Sequence, residues 1–372
     1  MNRLYFAVDP LHMMKGAVAP AIELAKYFAK SHHWDVTLIA LFGEENIIEK
    51  LRGQGINVYT LKKKLVSLTK IPTFEAWLRA IMKVSLGFGD HMSNISEEAI
   101  LINTSSTLVI PFAHIYYGLG PMTYALYDML NNLGIHLRLP LIASLPIMRR
   151  MERKFISYIT KSTKMNVSIS RFTKTMYERM GVKVDGVIYA PLDCRKFRPS
   201  TKKPSTDYII TYLGPGGKEG NPEIIKTLAN KGLKIKVFGM KAVYVPDFLH
   251  NHPNIEFLGY VNDEELVDLY SNAQFTLFTF AHEPFGYIPV ESMACGTPVL
   301  TYNRQGPSET VVHGVTGWLA NSDEELVELA LKIWREGYPS WMRSRCRERA
   351  LEFDVKAVAE RWLEIISGFS SF

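Results

Sequence analysis

Glu283 and Glu291 stand eight positions apart in the run Glu283-Pro-Phe-Gly-Tyr-Ile-Pro-Val-Glu291. They fall on either side of what reads as a strand-to-helix turn. The uncharged residues 275–280 ahead of them read as a buried strand. Pro289 suits the first position of a helix, where a missing N–H costs nothing. Gly296 ends that short helix, and residues 298–302 begin another strand. Glu283 is therefore expected at the carboxyl end of a strand and Glu291 in the first turn of the next helix. In open α/β sheets that edge is where ligands bind. A helix start adds N–H groups and a partial positive charge that suit a phosphate. A polyhydroxy ligand carrying phosphates satisfies both features, its hydroxyls donating to the carboxylates and its charge resting on backbone donors. Taken singly, either Glu reads equally well as a helix N-terminal charge or a solvated loop residue.

The elements that must position these residues follow one pattern twice. Residues 4–8 read as a strand, residues 17–30 as a helix and residues 35–41 as a second strand, a βαβ start that implies a parallel sheet. Lys15-Gly16 precede the helix. A linker is expected at residues 191–205, rich in Pro and Lys. After it, strand 208–213, helix 222–230 and strand 234–239 open a second α/β unit. Its turn, Gly214-Pro-Gly-Gly-Lys-Glu-Gly220, has the wrong glycine spacing for a dinucleotide fingerprint, and strand 235–238 ends without an acidic group for a ribose. As a phosphate nest followed by Lys218 the loop is sensible. Helices are expected at 324–335, 338–353 and 355–367.

Length and composition bound the rest. The 372 residues suggest two domains of ordinary size. Three well-separated cysteines, Cys194, Cys295 and Cys346, argue against a disulfide framework or a structural zinc site and fit a reducing compartment. The ten histidines show no ligand spacing, so no protein-bound metal is expected. Residues 99–127 contain no charged side chain but hold Gly118, Gly120, Pro111 and Pro121. They read as strand, loop, strand and glycine-rich turn rather than as a membrane span. Charge is uneven: residues 1–200 carry 26 Lys and Arg against 15 Asp and Glu, a net +11, and the remainder a net −5. Basic residues interleaved with large apolar ones at 62–83 and 149–174 are the footprint expected of contact with an anionic bilayer. Two amphipathic helices packed on their own core would give the same pattern. No recognition motif accompanies the charge, so nucleic acid is not expected. A cytoplasmic protein is expected, with peripheral contact at the inner face of the membrane.

Glu-x7-Glu with Pro-Phe-Gly after the first Glu resembles the retaining GT-B glycosyltransferases, in particular glycosyltransferase family 4. The likeness runs through Phe257-Leu-Gly-Tyr260 and the acidic helix after it, then Gly306-Pro-Ser-Glu309 and Gly314-Val-Thr-Gly-Trp-Leu319. It covers residues 168–319 and thins before them. The resemblance implies an α/β GT-B fold, with two Rossmann-like domains facing across a cleft and the last helix crossing back to the N-terminal domain. An acceptor-binding domain is then expected at 1–195 plus 355–372, and a nucleotide-sugar domain at 205–353.

The activity implied is transfer of a hexose from a nucleotide-diphosphate sugar, such as a UDP- or GDP-hexose, to an acceptor hydroxyl of a glycan or lipid-linked molecule. It implies retention of anomeric configuration and no metal or other cofactor. Glu283 would hydrogen-bond the donor sugar and Lys218 would meet the diphosphate, the two catalytic candidates. Glu291 would hold the ribose. Gly16, Gly214, Gly216, Gly286, Tyr287 and Ile288 would cradle the diphosphate and sugar, with the base near Tyr260. Tyr117, Gly118 and His114 are acceptor-side candidates. Two departures stand out. Pro215 occupies a position where relatives carry an Arg on the leaving diphosphate, with Arg304 a substitute, and the cleft histidine of relatives has no clear counterpart near residues 112–117. A catalytically weak or inactive sugar-nucleotide scaffold is therefore the alternative reading, with a glycoside hydrolase or a nucleotide-sugar epimerase further off.

Overall fold

The computed structural model describes residues 3–60, 99–105, 113–200, 203–214, 218, 220–239 and 246–369. The basic cluster at 62–83 lies outside the described residues, as do Pro215 and Gly216. The chain divides into two compact units. The first comprises residues 1–130, 134–191 and 355–372; the second comprises 192–354 together with Asn131–Leu133.

In the first unit, strands β1 (Arg3–Val8), β2 (Asp35–Ala40), β3 (Asn57–Thr60), β4 (Ala99–Asn103), β5 (Ile115–Gly118), β6 (Met165–Ser168) and β7 (Gly186–Val187) form one sheet in the order β3-β2-β1-β4-β5-β6-β7. Every pairing is parallel. Helices α1 (Ala19–His32), α2 (Glu45–Arg52), α3 (Met122–Asp128), α4 (Ile135–Thr160) and α5 (Arg171–Arg179) follow in chain order. β1 reads Leu-Tyr-Phe-Ala-Val with nearly every side chain buried, because crossover helices cover a parallel sheet on both faces. A short 3-10 turn, Gly16–Val18, precedes α1, so the helix starts two residues later than its sequence suggests and runs on to His32.

The second unit holds β8 (Ile209–Tyr212), β9 (Ile235–Phe238), β10 (Ile255–Gly259), β11 (Thr276–Phe278), β12 (Val299–Tyr302) and β13 (Gly317–Ala320), in the order β10-β9-β8-β11-β12-β13. Its helices are α6 (Pro222–Asn230), α7 (Phe248–Asn251), α8 (Asp263–Asn272), α9 (Tyr287–Ala294), α10 (Pro307–Thr310), α11 (Asp323–Glu336) and α12 (Trp341–Leu351). The final helix, α13 (Val355–Ser367), returns to the first unit. There its fully buried Trp362 meets the Tyr117 ring edge-on at 5.0 Å.

Both sheets reverse strand order once, between β1 and β4 and between β8 and β11. Such switch points open a crevice at the carboxyl ends of the strands. The β1–α1 loop with Gly16 lies at the first. The loops carrying Lys218 and Glu283 lie at the second.

Cys194, Cys295 and Cys346 are buried free thiols. Burial pushes the Cys194 thiol up to about 12, which leaves it protonated and unreactive at neutral pH. Among the described residues no helix is long and apolar enough to cross a membrane. The neutral stretch at 99–127 supplies β4, β5 and the start of α3. The basic cluster at 149–174 does not form one face. It crosses the end of α4, β6 and the start of α5, with Ile156 buried in the core and Phe155 packed against it.

Candidate functional site

Two loops meet at the switch point of the second unit. Ala281 N–H donates to the Lys218 carbonyl at 2.8 Å, and Gly220 N–H donates to the Thr279 carbonyl at 2.7 Å. Gly220 has φ +89°, and a Cβ there would lie 2.7 Å from Tyr212 O, so only glycine lets the loop press this close. Asn221 then caps α6 through its side chain. The contacts fix Lys218 beside Glu283, with Nζ 3.9 Å from Glu283 Oε2. The Glu283 side chain is 14% exposed and that of Lys218 31%.

Glu283 also holds its own turn. Its Oε1 accepts the Phe285 N–H at 3.2 Å and the Gly286 N–H at 2.9 Å. Gly286, at φ +97°, is the residue before α9, and the positive φ lets the helix begin at once. This corrects two expectations. The helix starts at Tyr287, so Pro289 is its third residue, where an N–H would still have no intrahelical acceptor. Glu291 is its fifth, one turn further in than expected. The Gly286 amide, expected to face a ligand, is spent on Glu283. Tyr287 and Ile288 open the helix and supply the backbone donors of its first turn.

Glu291 is oriented from below. The buried Tyr270 hydroxyl donates to its Oε2 at 3.3 Å. Burial, and then the neighbouring Glu291 carboxylate, hold the Tyr270 phenol well above its usual range, so it stays a donor. Thr297 in turn bonds the Tyr270 carbonyl.

The loop after β12 closes the arrangement from the other side. Gly306 N–H donates to the Glu283 carbonyl at 3.0 Å, and a Cβ on Gly306 would lie 2.4 Å from Pro284 O. Gln305, with φ +57°, bonds the same segment through its side chain. Its role has no signal in the sequence beyond its place before Gly306. Arg304 stacks on the Tyr302 ring at 4.5 Å and donates to the Phe280 carbonyl at 3.1 Å. It therefore stands at the carboxyl edge one residue from Ala281, which carries the Lys218 contact.

Two further donor candidates sit on the same edge. Gly214 is buried at the end of β8. Tyr260 follows β10 and is 73% exposed, next to the Gly239 N–H···Gly259 carbonyl bond of 2.8 Å that ties β9 to β10. In the first unit, Gly16 has φ +72° and open space where a Cβ would be.

The acceptor-side candidates are redirected by the structure. Tyr117 is fully buried and donates to the Ile188 carbonyl at 2.7 Å, so it is a core residue. Gly118 is required by packing: a Cβ would lie 2.4 Å from the Tyr177 ring. His114 precedes β5, at the amino edge of the sheet rather than the ligand edge. Its Nδ1 accepts the Leu101 N–H at 3.1 Å, and burial followed by Lys164 lowers its pKa. The carboxyl edge of β5 is instead built by two residues that the sequence did not single out. Tyr177 Oη accepts the Gly120 N–H at 3.0 Å. Buried Glu152 on α4 accepts the N–H groups of Met122 and Thr123 at 2.6 and 3.1 Å. Among the described residues no three His, Cys, Asp or Glu side chains gather as a metal ligand set.

Two parallel doubly wound sheets, with the last helix returning to the first, define the GT-B fold. Sucrose-phosphate synthase from Thermosynechococcus elongatus superposes with a TM-score of 0.74 over 100% of both chains at 16% identity. Anabaena HepE, solved in complex with UDP, gives 0.69 over 98% of this chain and 100% of its own, also at 16% identity. Residues 193–353 match the family Glycosyl transferases group 1. Among the chain's relatives is an alpha-1,3/1,6-mannosyltransferase ALG2 from Dictyostelium discoideum, 43% identical over 115 residues, or 31% of this chain and 25% of the relative. The first two curated relatives are matched over just 17% and 38% of their own lengths.

Proposed function

We propose that the protein is a glycosyltransferase that moves a hexose from a nucleotide-diphosphate sugar to the hydroxyl of a glycan or lipid-linked acceptor, with retention of configuration. The observation that carries this reading is the convergence of Lys218, the Glu283 turn and Glu291 on one switch point of a unit that matches the family. Glu283 keeps Oε2 for the donor sugar's hydroxyls while Oε1 holds the turn rigid. Lys218 sits where the diphosphate would carry its developing charge, with Arg304 on the same edge as a second cation. Glu291, steered by Tyr270, takes the ribose hydroxyls. Tyr287 and Ile288 give the diphosphate the start of α9, and Gly214 and Tyr260 lie on the donor side. The chemistry these groups supply is positioning and stabilisation of a leaving diphosphate, which ordinarily dominates such reactions. No protein-bound metal enters this reading.

The test is calorimetry of the purified protein against UDP, GDP, ADP and TDP and their sugar conjugates, without added metal. Tighter binding of one base, strengthened by one sugar, is the expected result. Binding without turnover against any acceptor would favour the scaffold reading, which the Pro215 substitution supports. Failure to bind any of them would overturn both.

A further inference from the structure

Helix α4 is an interaction surface that the transfer reaction does not use. Its buried face, Leu141, Leu145, Met148, Glu152, Ile156 and Ile159, packs on the first unit. The first half of its outer face is rich in aliphatics where a solvated helix would be polar. Residues 134–140 are exposed on every side. Ile135, Leu139 and Ile147 are 71%, 60% and 66% exposed, and Ile142 is exposed as well.

The charges on this helix have one sign. Arg138, Arg149, Arg150, Arg153 and Lys154 are its basic residues, and Glu152 is its one acid. Glu152 points inward and is consumed by Met122 and Thr123, so the exposed charge is all positive. Arg149 lies over the ring of Tyr124 and beside that of the exposed Tyr127, which extends the patch with an aromatic. Glu152 meets the start of α3, just past the carboxyl end of β5. Because α4 goes on from there to the amino end of β6, the residues before Glu152 lie toward the ligand edge of the first unit.

We propose that α4 docks in the headgroup region of an anionic bilayer, with Ile135, Leu139, Ile142 and Ile147 inserted and Arg138, Arg150 and Lys154 on lipid phosphates. Apolar side chains flanked by unopposed cations are what such a surface selects. A partner protein surface would not need this charge imbalance, and water would not favour these aliphatics. The surface would bring the acceptor side of the first unit to a lipid-borne hydroxyl. It deepens the lipid-acceptor part of the proposed function, yet binding needs no donor, so its failure and the failure of the transfer reading are separate results.

The experiment is sedimentation of the full chain with vesicles of phosphatidylcholine alone and of phosphatidylcholine with phosphatidylglycerol, at low and high salt. The expected result is binding to the anionic vesicles that weakens with salt. The pair Leu139→Glu and Ile147→Glu should weaken it roughly tenfold or more, with an unchanged melting profile because both sites are exposed. Arg138→Ser, Arg150→Ser and Lys154→Ser together should remove the preference for anionic lipid. No sedimentation with either vesicle at low salt would overturn the proposal, as would binding unaffected by the Glu pair. A dimer that the Glu pair converts to monomer, without vesicle binding, would assign the surface to a second copy of the chain instead.

Discussion

The side-chain amide of Gln305 is bonded on both sides to the segment that carries Glu283. Its Oε1 accepts the Glu283 N–H at 2.6 Å, and its Nε2 donates to the Ala281 carbonyl at 3.1 Å. With the Gly306 N–H on the Glu283 carbonyl, this sets the backbone from which the carboxylate reaches out. Gln305→Ala leaves an N–H and a carbonyl without these partners, each worth about 1–3 kcal/mol when buried. We expect a stability loss of that order in urea titration. Affinity for the sugar conjugate should fall more than affinity for the bare nucleoside diphosphate, because the displaced carboxylate meets the sugar. Equal loss of both would mean that Gln305 acts on the unit as a whole.

Glu283→Gln keeps the volume of the side chain and one oxygen for the Phe285 and Gly286 amides. It removes the charge facing Lys218 and the second acceptor. Transfer should drop about a hundredfold, the scale seen when one preorganised group at a developing charge is lost, with the melting temperature little changed. Glu283→Ala should also lose stability, by about 1 kcal/mol, because the turn amides lose their acceptor. Full transfer by both variants would remove Glu283 from the site.

Much of this is legible in the sequence alone. Strands in parallel sheets are buried on both faces, so residues 4–8, 209–212 and 299–302 announce themselves as apolar runs between turn residues. The glutamate turn is local, and its place at a strand end follows from its neighbours. What was misread depended on contacts distant in sequence. The family resemblance offers Tyr117 and Gly118 as acceptor-side residues, yet Trp362 and Tyr177 pack against them in the core. Gln305 contributes through a contact 22 residues back. The start of α9 was misplaced because proline is tolerated throughout a helix's first turn, and the glycine before Tyr287 decides the start. Residues 135–142 carry aliphatics without a single buried face, so they offer no helical period to read.

Tyr270 and Glu291 give a separable prediction. Tyr270→Phe removes the hydroxyl that donates to Glu291 and leaves the ring in place. If Glu291 holds the ribose, affinity for the nucleoside diphosphate should weaken several-fold, by about 1 kcal/mol, and KM for the donor should rise with kcat little changed. Glu291→Gln should do the same more strongly. A fall in kcat at constant KM would place Glu291 at the reacting sugar instead.

Gly118→Ala tests whether that glycine is a packing residue. The added methyl would lie 2.4 Å from the Tyr177 ring, and that ring is fixed by bonds to Tyr116 and to Gly120 N–H. Overpacking of a closed site costs about 1–3 kcal/mol, so the urea midpoint should fall accordingly. Tyr177→Leu in the same chain should recover part of the loss, since the ring is what the methyl strikes. A stable Gly118→Ala chain with impaired acceptor use would restore Gly118 to the acceptor side.

Glu152 links stability to pH. Burial raises its pKa above the ordinary 4.5, while Thr123, Met122 and Arg149 pull it back down. A carboxyl raised in the folded state binds more protons folded than unfolded between its two pKa values, so its contribution to stability is complete below 4.5 and is lost as pH rises through the folded value. Glu152→Gln stays neutral throughout and keeps one acceptor oxygen for the start of α3. The stability of the variant relative to the parent should therefore improve between pH 4.5 and pH 7, as measured by urea unfolding at each pH. Because those amides also shape the turn after β5, acceptor use should suffer even where stability is regained. A pH-independent difference between the two chains would show that the hydrogen bonds offset the burial of the charge in full.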